Sequence, residues 1–244
     1  MTLPRIALKV YSVKLPISGK TLKVRPFTVK EQKILLVSVN ESRDEKTESN
    51  KSHMAANFLE VLQTCVQGEH DLSELSVADF VFLMVKLREF SIGGSIELNY
   101  TCPCGEKVLT KMELKNIEVK HNKKNGNYEK QIKITPDISV KLDMPTLKEA
   151  LLVSESDNEI SEDLAVRILA GCIREVADLE TVYKSTDYTI EEMCEFVEGF
   201  PVNKVKEIQE FFETLPYPYI KVIAKCPEPN GDIDVEVKDI FDFF

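Results

Sequence analysis

The sequence has no tryptophan, nine glycines and three histidines among its 244 residues. Nowhere does it hold an uncharged apolar run approaching the ~20 residues of a membrane-spanning helix. The start, MTLPRIALKVYSVKLPIS, lacks the apolar segment of a secretory signal, so the expected compartment is a cytoplasm. The glycine count and the missing tryptophan argue against a low-complexity or simple repeat protein. Positive charge is also short, with 31 Lys and Arg against 41 Asp and Glu, a formal net charge of -10. A chain so charged is repelled by a phosphate backbone or an anionic membrane, and a nucleic-acid role would need a local basic patch. No His-Glu-x-x-His, Gly-x-Ser-x-Gly or Gly-x-Gly-x-x-Gly string occurs, so no catalytic residues are assigned.

What is present is ordinary globular usage, with 43% hydrophobic and 30% charged residues, enough chain for one elaborate domain or two small ones. IALKV and TLKVR alternate around a PISGK turn, the pattern of a hairpin. A helix is predicted from TVKE, where Thr28 and Glu31 form a capping box. Residues 40–52 read as a solvated loop or the frayed start of the next helix, whose stripe is Phe58, Val61, Leu62, Cys65 and Val66. A third helix from Ser76, VADFVFLMVKL, is apolar nearly all round and so central. It breaks at Gly93 and Gly94, and turn-bounded strands then run to about residue 142.

Helices return after MPTLKEALL, one with the stripe Ala165, Ile168, Leu169, Cys172, Ile173 and Val176. The next starts on a capping box of Thr189 and Glu192, with Ile190, Met193, Cys194 and Val197 on one face. The last has Pro201 in its first turn, and the chain ends in two strands and the aromatic tail IFDFF. The order predicts an α+β fold, a helical body with a strand-rich, zinc-ribbon-like double-knuckle module. The expected parts are an N-terminal hairpin and helices over 1–94, a knuckle module over 95–145, a helical segment over 146–217, and C-terminal strands over 218–244 that return to the knuckle module.

The six cysteines divide in two. In a reducing compartment they are thiols or metal ligands rather than disulfides. Cys65, Cys172 and Cys194 fall on apolar helix stripes, where cysteine acts as a small hydrophobe. Cys102, Cys104 and Cys226 sit in turns between strands. SIELNYTCPCGEKVLTKMELKNI and YIKVIAKCPEPNGDIDVEVKDI carry the same pattern: strand, Cys-Pro, a glycine turn, strand. Two facing knuckles make a zinc ribbon when four thiolates or imidazoles complete the tetrahedron. Here the first knuckle is compressed to Cys-x-Cys and the second has one cysteine, and His53, His70 and His121 lie elsewhere. The expected state is therefore a metal-free hairpin pair. A zinc site of Cys102, Cys104 and Cys226, completed by another group, is the alternative. Because the knuckles are alike and neither hairpin is stable alone, Cys102 and Cys226 are expected to be neighbours.

Two strings resemble chemistry and lack its context. SGKT at 18–21 ends like a phosphate-binding loop, but Lys14 stands where that loop needs glycine, and a strand rather than a helix follows. KHNKKNGNYEK is a basic cluster that reads as a solvated hairpin tip, with a nucleic-acid or acidic-protein patch as the alternative.

In order along the chain, LPISGKTLKVRPFTVKEQKILL, LREFSIGGSIELNYTCPCG, GCIREV, EEMCEFVEGFP, IQEFFETLPYP, KCPEPNG and IFDFF resemble the baseplate hub subunit family of T-even-type contractile-tailed bacteriophages. The resemblance implies a late, non-enzymatic viral protein of the tail baseplate, assembled in the host cytoplasm and acting with other baseplate hub proteins. Members commonly carry Cys-rich pairs in both knuckles, from which CPCG and CPEPNG depart. On this reading affinity comes from buried aromatic anchors, with Tyr217, Tyr219, Phe243 and Phe244 as interface candidates. The runner-up is a zinc-ribbon-like regulator or nucleic-acid accessory protein using the region from Lys120 to Lys133, and an enzyme ranks third.

Overall fold

A computed structural model describes residues 6–43, 49–121, 128–154, 162–226, 231–238 and 243. It mixes helix and strand in the expected order. The hairpin is β1 (Tyr11–Lys14) and β2 (Thr21–Val24), followed by α1 (Val29–Arg43) and α2 (Ser49–Cys65). The two helices thus reach into the segment expected as a loop from both sides; residues 44–48 lie outside the described residues. Strand β3 (Val66–Gln67) pairs with β2, and α3 (Val77–Ile92) follows. Next come β4 (Ser95–Thr101), β5 (Lys107–Glu113), β6 (Glu118–Lys120), β7 (Lys130–Lys133) and β8 (Ser139–Leu142). The rest is α4 (Leu147–Ser154), α5 (Glu162–Cys172), β9 (Ile173–Ala177), β10 (Val182–Lys184), α6 (Ile190–Glu198), α7 (Val202–Glu213), β11 (Tyr217–Lys225) and β12 (Asp232–Val237).

Three apolar cores organise these elements. The first gathers the inward residues of the β1–β2 hairpin, Phe58 and Leu62 of α2, Leu83, Met84 and Leu87 of α3, and Leu147 of α4. The second lies between the sheet β10-β9-β8-β7 and helices α5 to α7, around Ile132, Val140, Ile173, Met193, Ile208 and Phe211. The third joins Val85 of α3 to Met112, Leu114, Ile220, Val222 and Phe243. Helix α3 feeds two cores from opposite faces, which is why its sequence is apolar nearly all round. Strands β7 and β8, expected with the knuckles, join the sheet of β9 instead, β7 pairing with β8 and β8 with β9.

Two helix stripes end sooner than their 3.6-residue spacing suggested. Val66 leaves the α2 stripe for β3, while Ile173 and Val176 leave the α5 stripe for β9. Ala165 is exposed. A stripe at i, i+3, i+4 followed by β-branched residues fits either period over so short a stretch, and pairing with the hairpin decides for strand.

Beyond the repeated knuckle, the chain follows one plan twice. In an N-terminal unit (11–113) and a C-terminal unit (130–237), a hairpin leads through Thr-x-Lys-Glu into a helix. A second helix then ends at a buried cysteine, and a strand returns to the hairpin. The matching hydrogen bonds are the same. The Arg25 amide donates to the Cys65 carbonyl (2.9 Å) and the Asp143 amide to the Cys172 carbonyl (3.0 Å). Glu31 accepts from the Thr28 amide (2.6 Å) and hydroxyl, as Glu149 does from the Thr146 amide (2.7 Å) and hydroxyl. In each unit a 3-10 turn, Leu72–Glu74 or Ser185–Asp187, precedes a Ser or Thr cap, Ser76 or Thr189, and then the third helix. Each unit closes with a knuckle hairpin, β4–β5 or β11–β12. The C-terminal unit adds β10 and α7.

Candidate functional site

The knuckles meet over the third core. Cys102 follows β4, its amide donates to the Glu106 carbonyl (2.8 Å), and the Gly105 amide donates back to the Cys102 carbonyl (2.8 Å). This tight turn places Gly105 at φ 93°, and the other knuckle places Gly231 at φ 81°, a region costly for any residue with a Cβ. The Thr110 hydroxyl donates to the Ile223 carbonyl (3.3 Å) across the two hairpins. Apolar contact between β5 and β11 holds them face to face, and Cys226 arrives opposite Cys102 as the sequence predicts.

The Cys102 and Cys226 sulfurs are 3.4 Å apart and those of Cys104 and Cys226 3.8 Å. All three lie within 4.8 Å of one another. Sulfurs sharing one zinc at ~2.3 Å stand about 3.8 Å apart, so the thiols, unbonded to one another, are spaced for a common metal. Cys102 is buried, and Cys104 and Cys226 are half-buried. Among the described residues no histidine, aspartate or glutamate joins them, so they supply three of four tetrahedral positions.

The other cysteines behave differently. Burial pushes the Cys65 thiol up to about 11 and the Cys172 thiol up to about 12, and it raises that of Cys194. Such thiols stay protonated and pack as hydrophobes, in keeping with their helix stripes.

The aromatic candidates separate. Phe243 is fully buried in the third core, closing the protein on itself. Phe244 lies outside the described residues. Tyr217 and Tyr219 stand half-buried on the outer side of β11, with ring centroids 6.2 Å apart. A charged frame that the sequence reading missed holds them. Lys238 lies over the Tyr217 ring at 4.4 Å, Lys120 bonds Glu236 (3.0 Å), and the Tyr219 hydroxyl donates to Glu118 (3.0 Å). The Glu236 bond raises the Lys120 pKa, and the Glu118 bond raises that of Tyr219. Its signal was the Glu-x-Lys repeated in β6 and at the end of β12, Glu118-x-Lys120 and Glu236-x-Lys238. Lys120 of the basic run is thus committed to Glu236; Lys123 and Lys124 lie outside the described residues.

The SGKT string forms the β1–β2 turn. The buried Asp79 carboxylate accepts from the Ile17 amide (2.8 Å) and the Ser18 amide (2.9 Å). A carboxylate already seated on those amides repels a phosphate, which removes the nucleotide reading. Asp79, the lone acid in VADFVFLMV, was the overlooked clue. A cleft of ≈370 Å³ between β9, β10 and α6 is mostly apolar, lined by Ile138, Val176, Tyr183, Tyr188, Met193 and Phe196. Of its polar groups, Asp178 accepts from the Glu180 and Thr181 amides and the Tyr183 hydroxyl, while Glu192 caps the Thr189 amide. These groups serve turns and caps rather than facing a common point, unlike an acid–base pair.

No helix among the described residues is long and apolar enough to cross a membrane. Neither the curated proteins nor the solved structures contain a match to this chain. A family comparison does match, over residues 8–244 and so across both units and both knuckles: the chain belongs to the family of T4 bacteriophage base plate proteins.

Proposed function

We propose that this baseplate protein is a non-enzymatic assembly component of the tail baseplate hub, working by stoichiometric association with other hub proteins. The observation carrying the reading is the family match over nearly the whole chain. The exposed side of β11 supports association, since Tyr217 and Tyr219 offer amphipathic area held rigid by Lys120, Lys238 and Glu236. Host-cytoplasmic assembly late in infection belongs to the same reading. A phage lacking this gene is expected to accumulate heads and unattached tail components with few complete baseplates. Normal baseplates from such a phage overturn the proposal. Tyr217→Ala together with Tyr219→Ala should leave folding intact and reduce incorporation into baseplates.

The thiol cluster is read as a structural zinc site, zinc-ribbon-like in form, with Cys102 and Cys104 from one unit, Cys226 from the other, and the fourth position taken by a further group. The sulfur spacing supports it. Elemental analysis of protein purified without chelator should give about one zinc per chain, and Cys226→Ser should lose it while Cys172→Ser retains it. Zinc-free protein whose unfolding midpoint is indifferent to added zinc sinks this reading.

A further inference from the structure

The C-terminal unit docks on the N-terminal unit through a contact whose two halves are both repeated elsewhere on the molecule, with the matching apolar residues exposed. Residues Pro145–Leu147, entering α4, run antiparallel beside Leu75–Val77, entering α3. The Leu147 amide donates to the Leu75 carbonyl (2.8 Å) and the Val77 amide to the Pro145 carbonyl (3.3 Å), making a bridge between Ser76 and Thr146. Leu147 is 2% exposed and Leu75 4%. By the duplication, Phe27–Val29 corresponds to Pro145–Leu147, and Tyr188–Ile190 corresponds to Leu75–Val77.

Phe27 itself is buried in the first core and its amide donates to the Ser91 hydroxyl, but the residues that match the two buried leucines are exposed. Val29, the match of Leu147, is 67% exposed, and Leu36 and Val37 continue the same side of α1 at 49% and 53%. Tyr188, the match of Leu75, is 43% exposed at the rim of the ≈370 Å³ apolar cleft, beside Tyr183. Val29 and Ile190 are first helical residues, whose amides have no intrahelical acceptor. The charges also fit, because Lys33 lies in the α1 stripe while Asp178 and Glu192 line the cleft.

We propose that a second copy of this chain docks head to tail, its α1 start seated on the cleft before α6, so that copies repeat between molecules the contact that joins the two units within one. The occupant follows from the structure itself, since the same chain already carries an element of this kind on a surface of this kind. The contact is heterologous, so it propagates into a ring or an open row rather than stopping at a symmetric dimer. It does not depend on the hub reading, because it is tested on the purified chain.

Sedimentation of the full-length protein from about 1 to about 100 µM, the range of weak specific association, should show mass growing beyond a dimer. Val29→Glu with Leu36→Glu should abolish the growth, and so should Tyr188→Asp. A mixture of these two blocked proteins should form a 1:1 pair and stop, since each retains the half that the other lost. The residues changed are exposed, and unchanged unfolding midpoints confirm folding. Independently, Thr28→Cys with Thr189→Cys places thiols at the counterpart of the Thr146 and Ser76 bridge. Oxidation should give a ladder of covalent oligomers that neither single variant gives. A monomer at every concentration, association that survives both blocks, a mixture that fails to pair, or a double-cysteine protein without a ladder each overturns the proposal.

Discussion

The N-terminal unit has a finished core, whereas the C-terminal unit leaves its equivalent surface open. In the first, Leu72 and Leu75 ahead of α3 are buried under α4. In the second, Tyr188 ahead of α6 stands at the lip of a cleft. The local chemistry is alike in both, from the capped helices to the cysteine that ends the second helix. The difference comes from what lies over each lip: α4 covers the first, while among the described residues the lip before α6 stays exposed. Burial here is set by neighbours rather than by the fold of the unit, as in stacked repeats where each element completes the one before.

The comparison can be broken most forcefully in the third core, to which both units contribute. Phe243→Ala removes a fully buried ring packed with residues of α3, β5 and β11, and should cost about 3–5 kcal/mol in chemical denaturation. A change below 1 kcal/mol means the tail does not close that core. The joint between units comes next. Leu147→Ala should cost about 2–5 kcal/mol, whereas Val29→Ala, at the matching position, should stay within about 0.5 kcal/mol. Equal costs would deny that the two positions differ in surroundings.

The acid limb of stability sharpens the comparison further. Burial pushes the Glu31 carboxyl up, but bonds from Arg25 and Thr28 outweigh it and hold the pKa at about 2. A depressed carboxyl contributes stability that is complete above its unfolded value and is lost as pH falls toward the folded one. Denaturation midpoints of Glu31→Gln should therefore lie below wild type at pH 7 and converge with it between about pH 4.5 and 2. Parallel curves across that window contradict the pairing. Thr189→Ala, which removes one cap, should cost about 1 kcal/mol.

Much of this architecture could be read from residue patterns, and what escaped shares a cause. The capping box at Thr189, the bond of Glu31 back to the Thr28 amide and the alternation of the hairpins are local signals, set by backbone groups that need partners within a few residues. The knuckle cysteines were also legible, because Cys-Pro followed by a glycine turn leaves little freedom between two strands. The switch from helix to strand at Cys65 and Cys172 was not, since it depends on a hairpin far away in sequence offering an edge to pair with. The wider duplication escaped because TVKE and TLKE are short, and β10 and α7 shift the later landmarks out of step. Leu147 and Val29 carry nearly the same local sequence and opposite burial, so no window around either could tell them apart.

The position of Leu147 also sets a timetable for synthesis. A nascent chain that has just finished α3 holds Leu72 and Leu75 but not α4, the helix of the next unit that covers them. That cover lies some sixty residues farther on, which at 5–20 residues per second is roughly 3 to 12 s of translation. During this interval the first unit presents to the ribosome surface and its chaperones the kind of apolar lip that the second unit still shows in the single folded chain.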